Sequence, residues 1–390
     1  CQLLPKLTQM NQISAKDLSR TAVITAFFIN GALMATWVSR IPAIQTKFNL
    51  SEGQLGLLLL GLSVGVLFAL SLASGLIARF GSHTVTIAGA IAICLLIPFA
   101  AVASDPIILW LVLFLFGGAL STMDVAMNDQ AVLVERRAKR PLMSSFHASF
   151  SVGALVGALI GAGMASIPSI TPLIHFSIVA IFFGIVILLA RPHFIQVVKK
   201  VQEKTATFRF PNRVLWPLGA VAFSGAIAEG AMADWSAVYL AQTIETTASY
   251  AALGFAAFSL TMTIGRLLGD WLTTQWSPAL IIRAGGLIAT MGLLAAILTA
   301  EPWVVLIGFA AIGIGLANII PLSFSAAGNY PNISPSAGIA GVATIGYAGF
   351  LAGPPLIGLI AEATSLRIAL MLITLLVGSL IFTGKVVADG

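Results

Sequence analysis

Five acidic side chains lie inside long apolar runs of the chain, and they are the residues best placed to do chemistry. Two lie in the fourth run, two in the seventh and one in the eighth: Asp124 and Asp129, Glu229 and Asp234, and Asp270. A charged side chain at the centre of a membrane helix costs about 2.5–3.5 kcal/mol on insertion scales. Such residues therefore face a cavity or a partner, and each is a candidate functional residue.

Asp124 and Asn128 are four residues apart, so a helix would present both on one face. Their neighbours on that face, Ser121 and Ala131, are small and leave room for water or a ligand. A partly dry cavity favours the neutral, protonated form of a carboxyl group. The pattern therefore predicts that Asp124 carries a proton or contacts substrate, and the alternative is a structural hydrogen bond to a neighbouring helix.

Five further charged positions suggest coupling or gating. Glu229 lies near the middle of the seventh run and is predicted to couple protons or bind substrate. Arg266, the only basic residue well inside a run, is four residues from Asp270, which favours a salt bridge at a gate over a direct substrate contact. Asp129 lies about 140° round the helix from Asp124 and is closer to the arginines that follow the run, so we expect it to form an ion pair there. Asp234 is likewise predicted to act in a gate or a salt bridge.

The remaining polar and aromatic candidates are weaker. His147 opens the fifth run and could titrate at a gate, or it could be an ordinary hydrogen-bonded histidine. Trp37 and Trp235 could stack on a sugar or an aromatic ring, although tryptophans are also common at membrane interfaces. The residues expected to line a substrate cavity are Asn30, Trp37, Asn128, Trp235, Asn318 and Tyr347.

Motifs for metal, nucleotide or redox chemistry are missing from the sequence. It contains no phosphate-binding loop ending in GK[ST], no HExxH and no CxxC. The four histidines (His83, His147, His175 and His193) are too scattered to predict a metal site. We therefore expect no cofactor, no metal and no enzymatic activity, and ATP-driven transport would need a partner chain.

Composition places these residues in a membrane protein. The 390 residues are 58% hydrophobic and 9% charged, whereas soluble domains are about 45–50% apolar and about 25% charged. A span needs roughly 20 apolar residues, and twelve runs of suitable length occur. No strand-like alternation appears, so the runs are predicted to be helices. They lie at about 21–38, 53–78, 84–103, 107–134, 144–166, 172–190, 214–240, 250–272, 279–300, 303–327, 338–361 and 367–387.

The distribution of basic residues predicts the orientation. With both termini on one side, sixteen of the twenty Lys and Arg residues fall on that side, and the positive-inside rule assigns it to the cytoplasm. The net charge of +6 is explained in this way, without nucleic acid. The stretch 191–213 holds six of these residues and reads as a cytoplasmic linker between the bundles 1–190 and 214–390.

The two halves resemble each other. Residues 30–37 (NGALMATW) match residues 229–235 (EGAMADW) after a one-residue gap, six runs apart. His147 stands six residues before Gly153, as Tyr347 stands six residues before Gly353. Weak symmetry between six-helix halves is typical of transporters whose site lies at the repeat interface. Glycines at spacing four in the fifth run predict close helix contact, which we expect at the moving interface.

These features resemble the major facilitator superfamily of secondary transporters. Residues 74–81 (SGLIARFG) are similar to its loop motif GxLADRxG, with Ala78 where the motif has aspartate. The chain also resembles a narrower group, the YbjJ-type inner-membrane proteins of bacteria, which are described as transporters of unassigned substrate. The segments that carry this second resemblance are 33–44, 132–136, His147, 228–235, 265–266 and 344–355.

A more distant similarity links residues 124–128 (DVAMN) to the ExxxN stretch of the fucose:proton symporters, whose acid accepts the proton. The resemblance implies the major facilitator fold: an all-α membrane protein of twelve transmembrane helices in two pseudo-symmetric bundles. It also implies proton symport of a sugar or similar small polar solute across the bacterial inner membrane. The alternatives are a drug/proton antiporter and a non-transporting receptor on the same fold. We expect a monomer in the lipid bilayer, with substrate and protons as its partners and no nucleic acid.

Overall fold

The computed structural model describes residues 3–139, 142–196, 212–333 and 335–384. Within these ranges the α-helices are α1 Leu3–Val38, α2 Ile41–Phe48, α3 Glu52–Phe80, α4 Ser82–Val102, α5 Pro106–Ala138, α6 Met143–Ala165, α7 Pro172–Ala190, α8 Trp216–Val238, α9 Ala248–Gln275, α10 Pro278–Leu298, α11 Pro302–Leu316, α12 Ile319–Gly328, α13 Pro335–Ala363, α14 Leu366–Gly378 and α15 Leu380–Thr383. Twelve stretches of the described residues are long and apolar enough to cross a membrane. The predicted all-α fold with twelve spans is confirmed.

Local chemistry explains where the helices begin. The carboxylate of Asp105 accepts hydrogen bonds from the backbone N–H groups of Ile107 and Ile108 at 2.9 and 3.0 Å, and Pro106 takes the first position of α5. A side-chain cap satisfies donors that the helix cannot, and proline fits the first turn because it has no N–H to lose. Thr171 with Pro172 and Ser277 with Pro278 repeat the arrangement.

Three of the predicted runs contain breaks that hydropathy alone does not reveal. The first run continues past a turn at Ser39 and Arg40 into α2, where Pro42 lies in the first turn. The tenth run divides at Asn318 into α11 and α12, and the last divides at Ser379. At the break in the tenth run, the side chain of Asn318 donates to the carbonyl of Gly265 on α9 and so ties the break to a neighbouring helix.

Contacts at the helix ends define two faces of the bundle. At one face, which we call the linker face, Gln130 on α5 donates to Ser82 Oγ at 2.8 Å and to the carbonyl of Ile195 at 2.9 Å. At the opposite face, which we call the far face, Lys47 on α2 donates to the carbonyl oxygens of Ala101 and Ala103 at the end of α4. The predicted linker 191–213 begins and ends at the linker face, and its residues 197–211 lie outside the described residues.

Glycines bring helices together within each half. A Cβ atom at Gly153 of α6 would collide with the carbonyl of Phe28 on α1. In the second half, a Cβ at Gly349 of α13 would lie 2.8 Å from the carbonyl of Phe223 on α8. Small residues allow this close approach. The expectation that the fifth-run glycines lie at the moving interface is wrong, because they pack inside their own half.

The two halves meet through α3 with α13 and through α6 with α9. Near the far face, Gly56 of α3 packs against Gly358 of α13, and Ser63 Oγ donates to the carbonyl of Phe350 at 3.3 Å. At the other end of α3, the segment 74–76 is exposed, and no described atom lies within 4 Å of a Cβ built on Gly75. The halves are therefore in close contact near the far face, whereas the linker-face end of α3 makes no such contact with the described part of the other half.

Candidate functional site

Glu229 and Arg266 form an ion pair between α8 and α9. The Nη2 atom of Arg266 lies 3.0 Å from Oε1 of Glu229 and 3.3 Å from Oε2. The side chains of Arg266 and Glu229 are 32% and 25% exposed, respectively, so the pair retains access to water. Sequence reasoning linked Arg266 to Asp270, but the side chain of Asp270 lies outside the described residues. The structure joins two candidates that are 37 residues apart, and the pairing of Arg266 with Asp270 stays a prediction.

Asp124 lies on the wall of a space between the two halves. Its side chain is exposed although it is surrounded by protein at depth, and Tyr347 on α13 of the other half is close enough to interact with it electrostatically. The Nδ2 atom of Asn128 donates to its backbone carbonyl at 2.9 Å and to Oδ1 at 3.3 Å. An exposed carboxylate facing the other half cannot be pointing into lipid, so Asp124 faces a cavity.

A second cross-half relationship marks the same cavity. His147 at the start of α6 is exposed and lies within electrostatic reach of Arg266 on α9. Its ring packs edge-on against Phe27, with ring centroids 5.2 Å apart. The cavity therefore has α5 and α6 on one wall and α8, α9 and α13 on the other.

The remaining acidic candidates have different surroundings. Asp234 on α8 is deep and partly exposed, and within the described part of the chain it has no hydrogen bond or ion pair. Asp129 has an interaction partner of its own and points away from Asp124 round α5. Asp124 and Asp234 are thus deep carboxylates that no described cation neutralises.

Two amides predicted to line the cavity hold helices together in this structure. Asn30 is 4% exposed, and its Nδ2 donates to the carbonyl of Leu120 on α5 at 3.2 Å. Asn318 donates to the carbonyl of Gly265 on α9 at 3.1 Å, across the break between α11 and α12. A buried amide needs such partners because leaving it unsatisfied costs free energy. Their predicted contact with substrate stays a prediction.

The two tryptophans are sealed inside the helix packing. Trp37 and Trp235 are 1% and 0% exposed, and neither indole N–H has a hydrogen-bond partner among the described residues. Trp37 packs near Phe176 of α7, with ring centroids 6.5 Å apart. In this conformation neither ring can reach a ligand in the cavity, and their stacking on substrate stays a prediction.

Sequence reasoning missed a buried pair at the far face. Arg40, between α1 and α2, is 5% exposed, and its Nε donates to Nδ1 of the fully buried His175 at 3.0 Å. Its Nη2 donates to the carbonyl of Ile170 at 3.3 Å. The sequence does show that no acid lies within ten residues of Arg40. A guanidinium in an apolar run would then need a hydrogen-bond acceptor from a distant part of the chain.

Comparisons with known proteins agree with this architecture. Residues 22–338 match the family profile of the Major Facilitator Superfamily. An uncharacterized MFS-type transporter of Yersinia pestis is 34% identical over 351 residues, which cover 90% of this chain and 91% of that protein. Membrane protein MosC of Rhizobium meliloti is 33% identical over 382 residues, with 96% and 91% covered.

The fold is also that of a solved transporter. A mutant of the nucleoside transporter NupG superposes with a TM-score of 0.78 at 11% identity, over 95% of this chain and 99% of that one. The twelve spans, the two packed halves and these similarities lead to one conclusion. The chain belongs to the major facilitator superfamily and is a multi-pass membrane transporter.

Proposed function

We propose that this transporter is coupled to protons and moves a small polar solute across the bacterial inner membrane by alternating access, with both termini in the cytoplasm. The observation that carries the proposal is Asp124, an exposed carboxylate deep between the halves whose hydrogen bonds come from Asn128. The linker face, where the predicted basic linker begins, is then the cytoplasmic face.

Asp124 is suited to bind and release a proton because no described cation pairs with it. A carboxylate removed from bulk water is costly when charged, and protonation removes that charge. Asn128 can donate to the carboxyl group in either state, since one oxygen remains an acceptor. Protonation of Asp124 would therefore remove the cost of a charge in the cavity while the hydrogen bond from Asn128 is kept.

The ion pair of Glu229 and Arg266 is the second element that substrate or protons would perturb. Both oxygens of Glu229 lie within 3.3 Å of one guanidinium nitrogen, so the pair is charge-balanced at rest. A proton on Glu229, or a solute group inserted between the two, would free Arg266 toward His147 in the other half. Coupling follows if solute binding alters the proton affinity of these acids, because linkage between ligands is reciprocal.

With its halves in contact at the far face, this conformation is assigned to the end of the transport cycle in which the cavity opens toward the linker face. The opposite state requires separation of Gly56 from Gly358 at the far face and approach of the exposed end of α3 to the other half. Rocking of two repeats about a site between them produces this exchange. A bound ligand shifts the balance only by its difference in affinity for the two states.

The groups that face the cavity favour a polar solute over a lipophilic drug. His147, Arg266, Asn128 and Tyr347 supply hydrogen-bond donors and acceptors rather than an aliphatic wall. NupG is a nucleoside transporter, and the fucose symporter structure FucP (TM-score 0.60, 17% identity) likewise concerns a polar solute. A sugar or a similar hydroxylated molecule therefore remains the proposed class.

Transport in proteoliposomes tests the proposal. Purified protein is reconstituted and offered a labelled panel of sugars, polyols, amino polyols and organic acids, with a pH gradient of either sign or with unlabelled solute trapped inside for exchange. We expect one or more members to accumulate under a pH gradient. Asp124→Asn should reduce this accumulation at least tenfold, while exchange of a labelled neutral solute for its unlabelled form continues because exchange needs no net proton movement.

Glu301→Gln provides the matched control, since Glu301 is an exposed acid that caps no helix with its side chain. It loses the same charge and should accumulate solute normally. Accumulation by Asp124→Asn at the control level would refute the proton assignment. No exchange of any solute and no proton movement in the unaltered protein would favour a receptor on the same fold.

A further inference from the structure

We infer that the transported solute carries a protonated amine, and that this group binds to Asp124 and Asn128 in place of the coupling proton. The inference rests on the proposed function and adds the charge of the solute to it. It comes from the balance of charges and of hydrogen-bonding groups in the cavity, taken over the described residues.

Acids outnumber cations in and around the cavity. Asp124 and Glu229 are its deep carboxyl groups, Asp234 lies five residues beyond Glu229 on α8, and Arg266 is the cation that the described residues place beside them. Arg266 is engaged by Glu229, which leaves Asp124 and Asp234 without a described cation. His147 faces Arg266 across the halves, and its unprotonated imidazole adds no charge to the cavity. A site with excess negative charge attracts cations and repels anions over several ångströms.

The hydrogen-bonding groups at Asp124 point the same way. Asn128 uses its Nδ2 donor on Asp124, so its side-chain carbonyl is left as an acceptor. The second carboxylate oxygen of Asp124 likewise receives no hydrogen bond from a described residue. An ammonium group has three donors and no acceptor, and it matches two adjacent acceptors of which one is charged. Charge-assisted hydrogen bonds of this kind are the strong ones.

Arg266 is a poor receptor for a carboxylate-bearing solute in this conformation. An incoming carboxylate would have to displace Glu229 from contacts at 3.0 and 3.3 Å. It would leave Glu229 without a partner while adding a further negative charge to the cavity. Separating a partly buried pair in this way costs more than the new contact returns. Anionic solutes are therefore disfavoured.

The consequence is exchange. When the amine arrives, protonated Asp124 gives up its proton to water and its carboxylate binds the ammonium; when the amine leaves, a proton returns. Tyr347 faces Asp124 from the other half. Its hydroxyl is both donor and acceptor, so it is compatible with Asp124 in the protonated form and in the amine-bound form. The O–H bond of Asp124 breaks as its proton passes to water and forms again when the amine leaves, no bond between heavier atoms changes, and one positive charge replaces another.

Matched solutes test the inference on the full-length purified protein. Two sets share a carbon skeleton and differ at one end: glucamine, sorbitol and gluconate, and aminopropanediol, glycerol and glycerate. Thermal-shift and exchange measurements at neutral pH should detect an amine member, with at least tenfold weaker binding of its neutral and anionic partners. Asp124→Asn should remove the preference, and Glu301→Gln should keep it. Preference for a neutral or anionic member, or no response to either amine, overturns the inference.

Charged thiol reagents test the cavity without a known solute. Tyr347→Cys, in a chain with Cys1→Ser, places a thiol beside Asp124, and the parent chain with its buried Cys94 is the background control. A cationic methanethiosulfonate should react at least fivefold faster than the anionic sulfonate analogue. Adding Asp124→Asn should reduce that ratio. Equal rates, or a ratio that Asp124→Asn does not change, would overturn the inference.

The two proposals fail separately. If Asp124→Asn abolishes pH-driven accumulation of a neutral sugar, proton coupling stands and the amine inference is wrong. If Asp124→Asn loses the preference for the amine but still accumulates a neutral solute of the set under a pH gradient, the proton assignment is wrong while the charge preference stands.

Discussion

Gly56 of α3 and Gly358 of α13 touch backbone to backbone across the two halves. A Cβ atom added to Gly358 would lie 2.9 Å from the Cα of Gly56 and 3.2 Å from its nitrogen. Beside them the carboxylate of Glu362 covers Gly53 at the first turn of α3. Because no side chain separates the helices, this contact seals the far face, and any residue larger than glycine must push it apart.

The first prediction concerns this seal. Gly358→Leu should hold the far face open and shift the population toward the opposite access state, because its side chain would overlap the backbone of α3. A thiol placed by Ser63→Cys, next to Phe350 at the same contact, should then react at least fivefold faster with an impermeant reagent added at the far face. Gly184→Leu is the control, since a Cβ there meets no described atom within 4 Å, and an unchanged Ser63→Cys rate in Gly358→Leu would contradict the gate.

The second prediction concerns Arg40 and His175. His175→Leu removes the acceptor of the buried guanidinium, which keeps only the carbonyl of Ile170 among the described residues. Leaving a buried charge short of a partner should lower the free energy of unfolding by about 1–3 kcal/mol, measured as a fall in the thermal midpoint. His175→Gln, which can still accept through its side-chain oxygen, should recover part of the loss. Equal midpoints for both variants would show that this hydrogen bond contributes nothing.

Sequence alone predicted the elements because their signals are local. The apolar stretches have the length of a bilayer span, and breaks such as Asp105-Pro106 carry caps and prolines that begin helices. The interruption at Asn318 was missed because a single polar residue leaves the run around it apolar on average, and because its amide donates to Gly265, which is distant in the sequence. Local patterns cannot specify which distant helix will supply a partner.

The sequence was sufficient to predict which residues belong to the candidate site, but not which residues they contact. The depth of Asp124 and Glu229 in apolar runs identified both, since lone charges in a membrane helix are costly. The pairing of Arg266 with Glu229 depends on how α8 packs on α9, and the burial of Trp37 and Trp235 depends on packing in the same way. Those relationships arise only from the tertiary fold.

The third prediction separates a structural amide from a ligand-binding one. Asn30→Ala removes the hydrogen bond to the carbonyl of Leu120, so stability should fall by about 0.5–1.5 kcal/mol. The Michaelis constant for the transported solute should change less than twofold, because Asn30 is buried away from the cavity. A rise of tenfold or more with unchanged thermal stability would instead assign Asn30 to the substrate site.

The last prediction concerns the pair of Glu229 and Arg266. Glu229→Gln and Arg266→Gln each leave one charge without its partner at depth, and each should lower stability and slow transport. Replacing both residues by glutamine removes both charges, so it should be less destabilising than the sum of the single changes. Because the pair is a quarter to a third exposed, we expect a coupling energy of about 1–2 kcal/mol, below the value for a fully buried pair. Thermal unfolding of the four proteins in one detergent measures it, and strictly additive losses would mean that the 3.0 Å contact does not stabilise the fold.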